Sequence, residues 1–353
     1  MRAPVRLVIL ALYLSGLLSF HGFAQSPALS PNAFLKESDF MQIISVEAYE
    51  VRVELIARCE TLVKDLEFQL EDALIITPEE QESLIERATE YFGRHFTFFP
   101  QGVPMPPARA SGDILRLGAT DSVVKERLVE ERLSDAVLGI AYTYPLENII
   151  SYFEFSWNRL PGSAERIPVQ ISTPQGLQNF EFTKFVLSLD WSGARESFQL
   201  PELEPVPVSD KTWFGRPKLD EELAERILTR LITNIYTAFE YPTESSIYDS
   251  LAKSVAGKEL NAIYLEYRRR IEAVNRGGPS VKILSVSIED ISSIRRENKN
   301  FVVNASWRVS GRVRHFGHVH ERINRYQAAL TLTTPTDIWK LLKIDILEES
   351  RLR

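Results

Sequence analysis

Three of the five histidines of this chain fall within six residues, at His315, His318 and His320. Imidazole is the side chain that titrates near neutrality and ligates transition metals through a neutral nitrogen, so chemistry is sought there first. From Trp307 to Leu332 apolar and polar residues alternate on either side of Phe316-Gly317, which predicts two antiparallel strands joined by a tight turn. In that register His315 faces His318, Val313 faces His320, Gly311 faces Arg322, Val309 faces Asn324 and Trp307 faces Tyr326. One face then gathers the three histidines with Trp307, Arg322, Asn324 and Tyr326. The other carries Arg308, Ser310, Arg312, Arg314, Glu321 and Arg325 and reads as solvated surface.

Three chemistries compete for the first face. Zinc, copper or nickel could be held by His315, His318 and His320, because neutral imidazoles at i and i+2 on one strand, with a third across the ladder, can converge on an ion. Against it, the one nearby acid, Glu321, faces away by parity. General acid–base catalysis would use one histidine oriented by a carboxylate, with Arg322 or Tyr326 stabilising developing charge, yet no partner acid is identifiable from spacing. The third reading leaves these groups hydrogen-bonding within the sheet or forming a partner surface. Trp307, Arg322, Asn324 and Tyr326 are the candidate ligand-binding residues, lining a pocket that is apolar at depth and polar at its mouth.

Other signatures are missing from the sequence: a phosphate-cradling glycine loop, a zincin helix, a paired-cysteine metal site and a nucleophile-elbow serine. A hydrolase of familiar kind is therefore disfavoured. His95, in His95-Phe96-Thr97-Phe98-Phe99, reads as structural. Cys59 is the sole cysteine, so no disulfide framework exists. It ends a run from Val51 whose odd positions are all apolar, which predicts a buried thiol on the core side of a strand.

These residues need a scaffold, and the chain begins with an address. Arg2 and Arg6, the apolar run Leu7–Leu18 and Gly22-Phe23-Ala24 have the layout of a secretory signal peptide over 1–24. The apolar run is well short of the roughly 20 residues that span a bilayer, so a membrane span is not expected after cleavage. The product is expected to be exported, either periplasmic or secreted. The formal charge of −7 becomes more negative once Arg2 and Arg6 leave, which excludes nucleic acid and gives no support to an anionic membrane surface, since both demand a basic excess.

A chain of 353 residues with 44% hydrophobic composition is long enough for two cores. Residues 38–199 read as a β-rich, sandwich-like domain with one helix, announced by Thr77-Pro78-Glu79-Glu80: a capping threonine, proline at the first helical position and early acids. Glu47, Glu50, Arg52, Glu54 and Arg58 on the opening strands read as one solvated face. Residues 200–217 repeat proline and acid and predict an extended interdomain linker. Residues 218–353 read as α+β: three helices, the first striped by Leu223, Ile227, Leu231, Ile235 and Phe239, followed by a four-stranded antiparallel meander.

That order, with Tyr236-Thr237-Ala238-Phe239-Glu240 on the first helix and Ile338-Trp339-Lys340-Leu341 opening the last strand, resembles the nuclear-transport-factor-2-like (cystatin-like cone) group over about residues 218–353. The resemblance implies a bent sheet wrapped around helices to leave a conical pocket, and a homodimer through the outer sheet face. The group hosts isomerases, dehydratases, ligand binders and assembly modules, so it fixes no function. The run His315-Phe316-Gly317-His318-Val319-His320-Glu321-Arg322, with Trp307, Gly311, Asn324 and Tyr326, is similar to a group of uncharacterised bacterial exported proteins. Tyr144-Pro145-Leu146, Phe155-Ser156-Trp157 and Ile167-Pro168 are similar to the exported part of HupE/UreJ-type membrane proteins. That likeness implies a link to nickel, without the membrane region those proteins carry.

The expected function is that of an exported, non-enzymatic accessory or binding protein taking a small ligand, a metal or an envelope protein partner through the C-terminal domain. The alternative is an isomerase- or dehydratase-like enzyme using the His315–Tyr326 face.

Overall fold

Alternating apolar residues build sheet wherever both faces can be covered, and this chain uses sheet throughout. In the computed structural model residues 35, 38–116, 129–198, 200, 203–274, 280–316 and 318–352 are described. The expected signal peptide over 1–24 lies outside them. The N-terminal part runs β1 (Phe40–Glu47), β2 (Glu50–Arg58), α1 (Cys59–Asp65), β3 (Ile75–Ile76), α2 (Pro78–Gly93), β4 (Phe96–Pro100), β5 (Arg109–Arg116), β6 (Glu131–Arg132), β7 (Ala136–Pro145), β8 (Tyr152–Trp157), β9 (Arg166–Thr173), β10 (Gly176–Thr183) and β11 (Ser188–Ser192). The C-terminal part runs β12 (Val206–Pro207), α3 (Glu221–Ala238), α4 (Glu244–Ser254), α5 (Lys258–Val274), β13 (Ser280–Glu297), β14 (Asn300–His315), β15 (His318–Thr333) and β16 (Ile338–Arg351).

A six-stranded sheet in the order β10-β9-β1-β2-β7-β5 faces a three-stranded one, β11-β8-β4, across a first core. Phe96, Phe153, Phe155, Trp157 and Trp191 fill that core from the aromatic-rich strands, with Phe96 and Phe155 stacked 4.9 Å apart. The α2 cap is the one expected: Thr77 Oγ1 accepts from the Glu80 N–H at 3.4 Å while Glu80 Oε2 accepts from the Thr77 N–H at 2.8 Å. A second core joins α3, α4 and α5 to the C-terminal sheet, with Ile227, Leu231 and Ile235 of α3 buried beside Val303, Trp307, Tyr326 and Leu330.

The expected fold class is corrected. The described residues are mostly sheet, 49% strand against 24% helix, with five α-helices and several sheets among them. Among the described N-terminal residues two α-helices are present where one was expected, and β1 pairs parallel to β9. The expected nuclear-transport-factor-2-like arrangement, a four-stranded meander around an open cone, is not seen, although α3, α4 and α5 do precede the antiparallel strands β13 to β16. The C-terminal sheet is five-stranded, β12-β16-β15-β14-β13, and its helix-facing side is filled. The fifth strand comes from the proline-rich segment expected to be a spacer: Val206 pairs with Trp339, and Leu203 is buried in the second core. Apolar residues set between prolines had a core to join, and an edge strand tolerates proline because its outer N–H needs no partner.

Two smaller expectations also change. Cys59 is buried, but as the first residue of α1 and not within a strand. Arg52 and Glu54, read as solvated, are 6% and 0% exposed. The second face of the six-stranded sheet, away from the first core, is itself covered.

Candidate functional site

The covering comes partly from the turn between β14 and β15. His315 pairs with His318, which leaves a two-residue connection. Phe316 takes φ 42°, in the left-handed region such turns demand. Its ring is 1% exposed and lies in a third apolar cluster with Leu35, Met41, Ile43, Ile56, Leu115, Val137 and Ala141, all from the N-terminal part. Gly139 makes the seat. A β-carbon there would stand 2.5, 2.6 and 2.9 Å from Cδ1, Cγ and Cδ2 of Phe316, so only glycine admits the ring. Glycine inside a strand marks this kind of close approach.

The seat is ringed by charge. Glu54 sits across the ladder from Ile43 on one side and Ala141 on the other, both seat residues, and Asp113 sits across from Gly139. Cross-strand neighbours share a face, so two carboxylates border the Phe316 ring. Arg52 Nε lies 2.9 Å from Glu54 Oε1, a pair that is 7% and 0% exposed. A second tie between the two parts runs from Lys282 Nζ to Glu47 Oε2 at 3.2 Å. Nearby, burial raises the Glu240 carboxyl above its ordinary value against the opposing pull of Lys282.

The backbone places the histidine positions at this junction. His315 and His318 flank the connection that holds Phe316, and His320 pairs with Val313. The side chains of His315, His318 and His320 lie outside the described residues, and among the described residues no group of three His, Cys, Asp or Glu could hold a metal.

The four expected ligand-binding residues do share one ladder, through the pairs Trp307–Tyr326, Val309–Asn324 and Gly311–Arg322. Trp307 and Tyr326 stack at 5.5 Å, and Arg322 Nε donates to Asn324 Oδ1 at 3.0 Å. All four are between 0% and 5% exposed. Burial pushes the Arg322 guanidinium below its usual value and Arg351 adds to the shift. Trp307 Nε1 and Asn324 Nδ2 are buried donors without an acceptor among the described residues. His95 is structural in its contacts, with Nδ1 2.6 Å from the Tyr91 carbonyl and its ring 4.2 Å from that of Tyr91.

Sequence reasoning missed Glu54, Asp113 and Arg52 as neighbours of the histidine turn. Gly139, lone in an apolar strand, was the available signal that something presses on that sheet. Nothing local announced what.

No protein-family model matches the chain, and no curated protein matches it. Among solved structures, the intermembrane space region of the chloroplast protein ARC6 is similar at 16% identity and a TM-score of 0.29, covering 37% of this chain and 98% of that one.

Proposed function

We propose that this chain is an exported, non-enzymatic accessory or binding protein whose ligand site is the junction between the β14–β15 turn and the N-terminal sheet, and that the ligand is zinc, copper or nickel. The observation that carries this reading is the seating of Phe316 against Gly139, which sets the histidine-bearing turn on a sheet face bordered by Glu54 and Asp113. Imidazole nitrogen with carboxylate oxygen is a donor set suited to late first-row ions. It also supplies the acids that the histidine run lacks in sequence. Trp307, Arg322, Asn324 and Tyr326 are nearly fully buried, so the proposal puts the site at the turn and not on those four side chains.

Metal content of the purified protein after dialysis against each ion, repeated on the His318→Ala/His320→Ala variant, tests the proposal. Stoichiometric metal in the wild type, lost in the variant at an unchanged melting temperature, is expected. Wild-type protein that retains none of the three ions overturns it.

A further inference from the structure

The segment between the two cores presents a second feature, at the opposite end of the C-terminal sheet from Phe316. Lys211 to Pro217 folds as a small hairpin: Thr212 N–H donates to the Arg216 carbonyl at 2.7 Å, Gly215 N–H to the Thr212 carbonyl at 2.8 Å, and Lys211 bridges to Pro217. Its base is fixed to the body by Lys218 N–H to the Asp210 carbonyl at 3.0 Å and by Lys211 Nζ to Asp337 Oδ2 at 2.8 Å. On its tip Trp213 and Phe214 are 97% and 86% exposed. Two adjacent aromatic rings held in water on an ordered turn are a standing cost in solvation, and such exposure marks a contact surface.

We infer that this hairpin is an interfacial anchor that inserts Trp213 and Phe214 into the headgroup region of an anionic lipid bilayer. The tip is convex and narrow, a shape that enters a lipid surface without needing a matching groove. Tryptophan prefers the boundary between headgroups and acyl chains, where its ring is apolar and its N–H stays wet. The nearest charges to the aromatics are basic, although the whole chain is acidic and Asp210, Asp220, Glu221 and Glu222 stand exposed at the base of the hairpin. Arg216 and Lys218 flank the aromatics, both exposed, and neither has a carboxylate within ion-pair distance among the described residues. Such cations add attraction toward anionic headgroups. No described helix is long and apolar enough to cross a membrane.

The protein carries its own reporter. Trp157, Trp191, Trp307 and Trp339 are buried, which leaves Trp213 as the tryptophan open to solvent. The test is co-sedimentation of the full chain with vesicles of phosphatidylcholine alone and of phosphatidylcholine with phosphatidylglycerol, with tryptophan quenching by brominated lipid. The expected result is binding to the anionic vesicles, quenching of one tryptophan, and roughly a tenfold or greater loss of affinity in Trp213→Ala/Phe214→Ala. Arg216→Glu/Lys218→Glu should abolish the preference for anionic lipid. Both variants alter exposed side chains, so unchanged melting temperatures show that each is folded. Absence of vesicle binding overturns the inference, and so does binding undiminished in the aromatic variant. Concentration-dependent self-association lost in the aromatic variant, without vesicle binding, assigns the tip instead to a second copy of this chain.

Discussion

At the scale of single residues the account rests on Gly139 and Phe316, which are distant in sequence and in van der Waals contact in the fold. Gly139→Val places atoms where the Phe316 ring lies, and overpacking of this kind costs about 1–3 kcal/mol. A lower urea midpoint at unchanged m-value is the expected readout. In a Phe316→Ala background the same substitution should cost less, because the clashing ring is gone, and the double-mutant cycle measures the coupling. A second residue sets a pH dependence. Glu259 opens α5 at 7% exposure, and burial raises its carboxyl to about 7, helped by Asp345 and opposed by the Ile344 N–H and Lys343. A raised carboxyl is held protonated more firmly in the folded state than in the unfolded one. Its contribution is therefore fully present below about pH 4.5 and is lost as pH rises toward and through 7. Glu259→Gln should stabilise the protein relative to wild type by about 1–3 kcal/mol more at pH 8 than at pH 4.5. Urea melts of both proteins at the two pH values check the sign.

At the scale of elements, what was local was legible. The α2 start could be read from Thr77, Pro78 and Glu80, and Thr77→Ala should cost about 1 kcal/mol in chemical denaturation. The register of β14 on β15 followed residue by residue from alternation meeting one unambiguous turn, with His315 opposite His318 and Trp307 opposite Tyr326. What depended on distant partners was not legible. The parallel pairing of β1 with β9 leaves no mark in either strand, and the charges at Arg52 and Glu54 looked solvated because nothing within β2 announces that its second face is covered. The proline-rich segment misled for a related reason, since composition described its stiffness and not its destination. Leu203 separates the two views. It is 3% exposed within the second core, so Leu203→Ala should cost about 2–4 kcal/mol in urea unfolding, where a spacer residue would cost nothing measurable.

At the scale of the whole molecule, two cores are joined by the β12 segment, the Lys282–Glu47 pair and Phe316 seated in the third apolar cluster. Cores coupled through one apolar knob should unfold together. Phe316→Ala is expected to split the calorimetric transition into two, each smaller than the single wild-type transition. The same tie is what would create the ligand site, because neither part alone supplies both imidazoles and the flanking carboxylates. The most direct measurement is therefore the affinity of Gly139→Val for zinc and nickel by calorimetric titration, compared with wild type. That variant keeps every proposed ligand and removes only the seat. Binding weaker by roughly tenfold or more, with both cores still folded, is the predicted result. Binding as tight as wild type would contradict a site built at the junction.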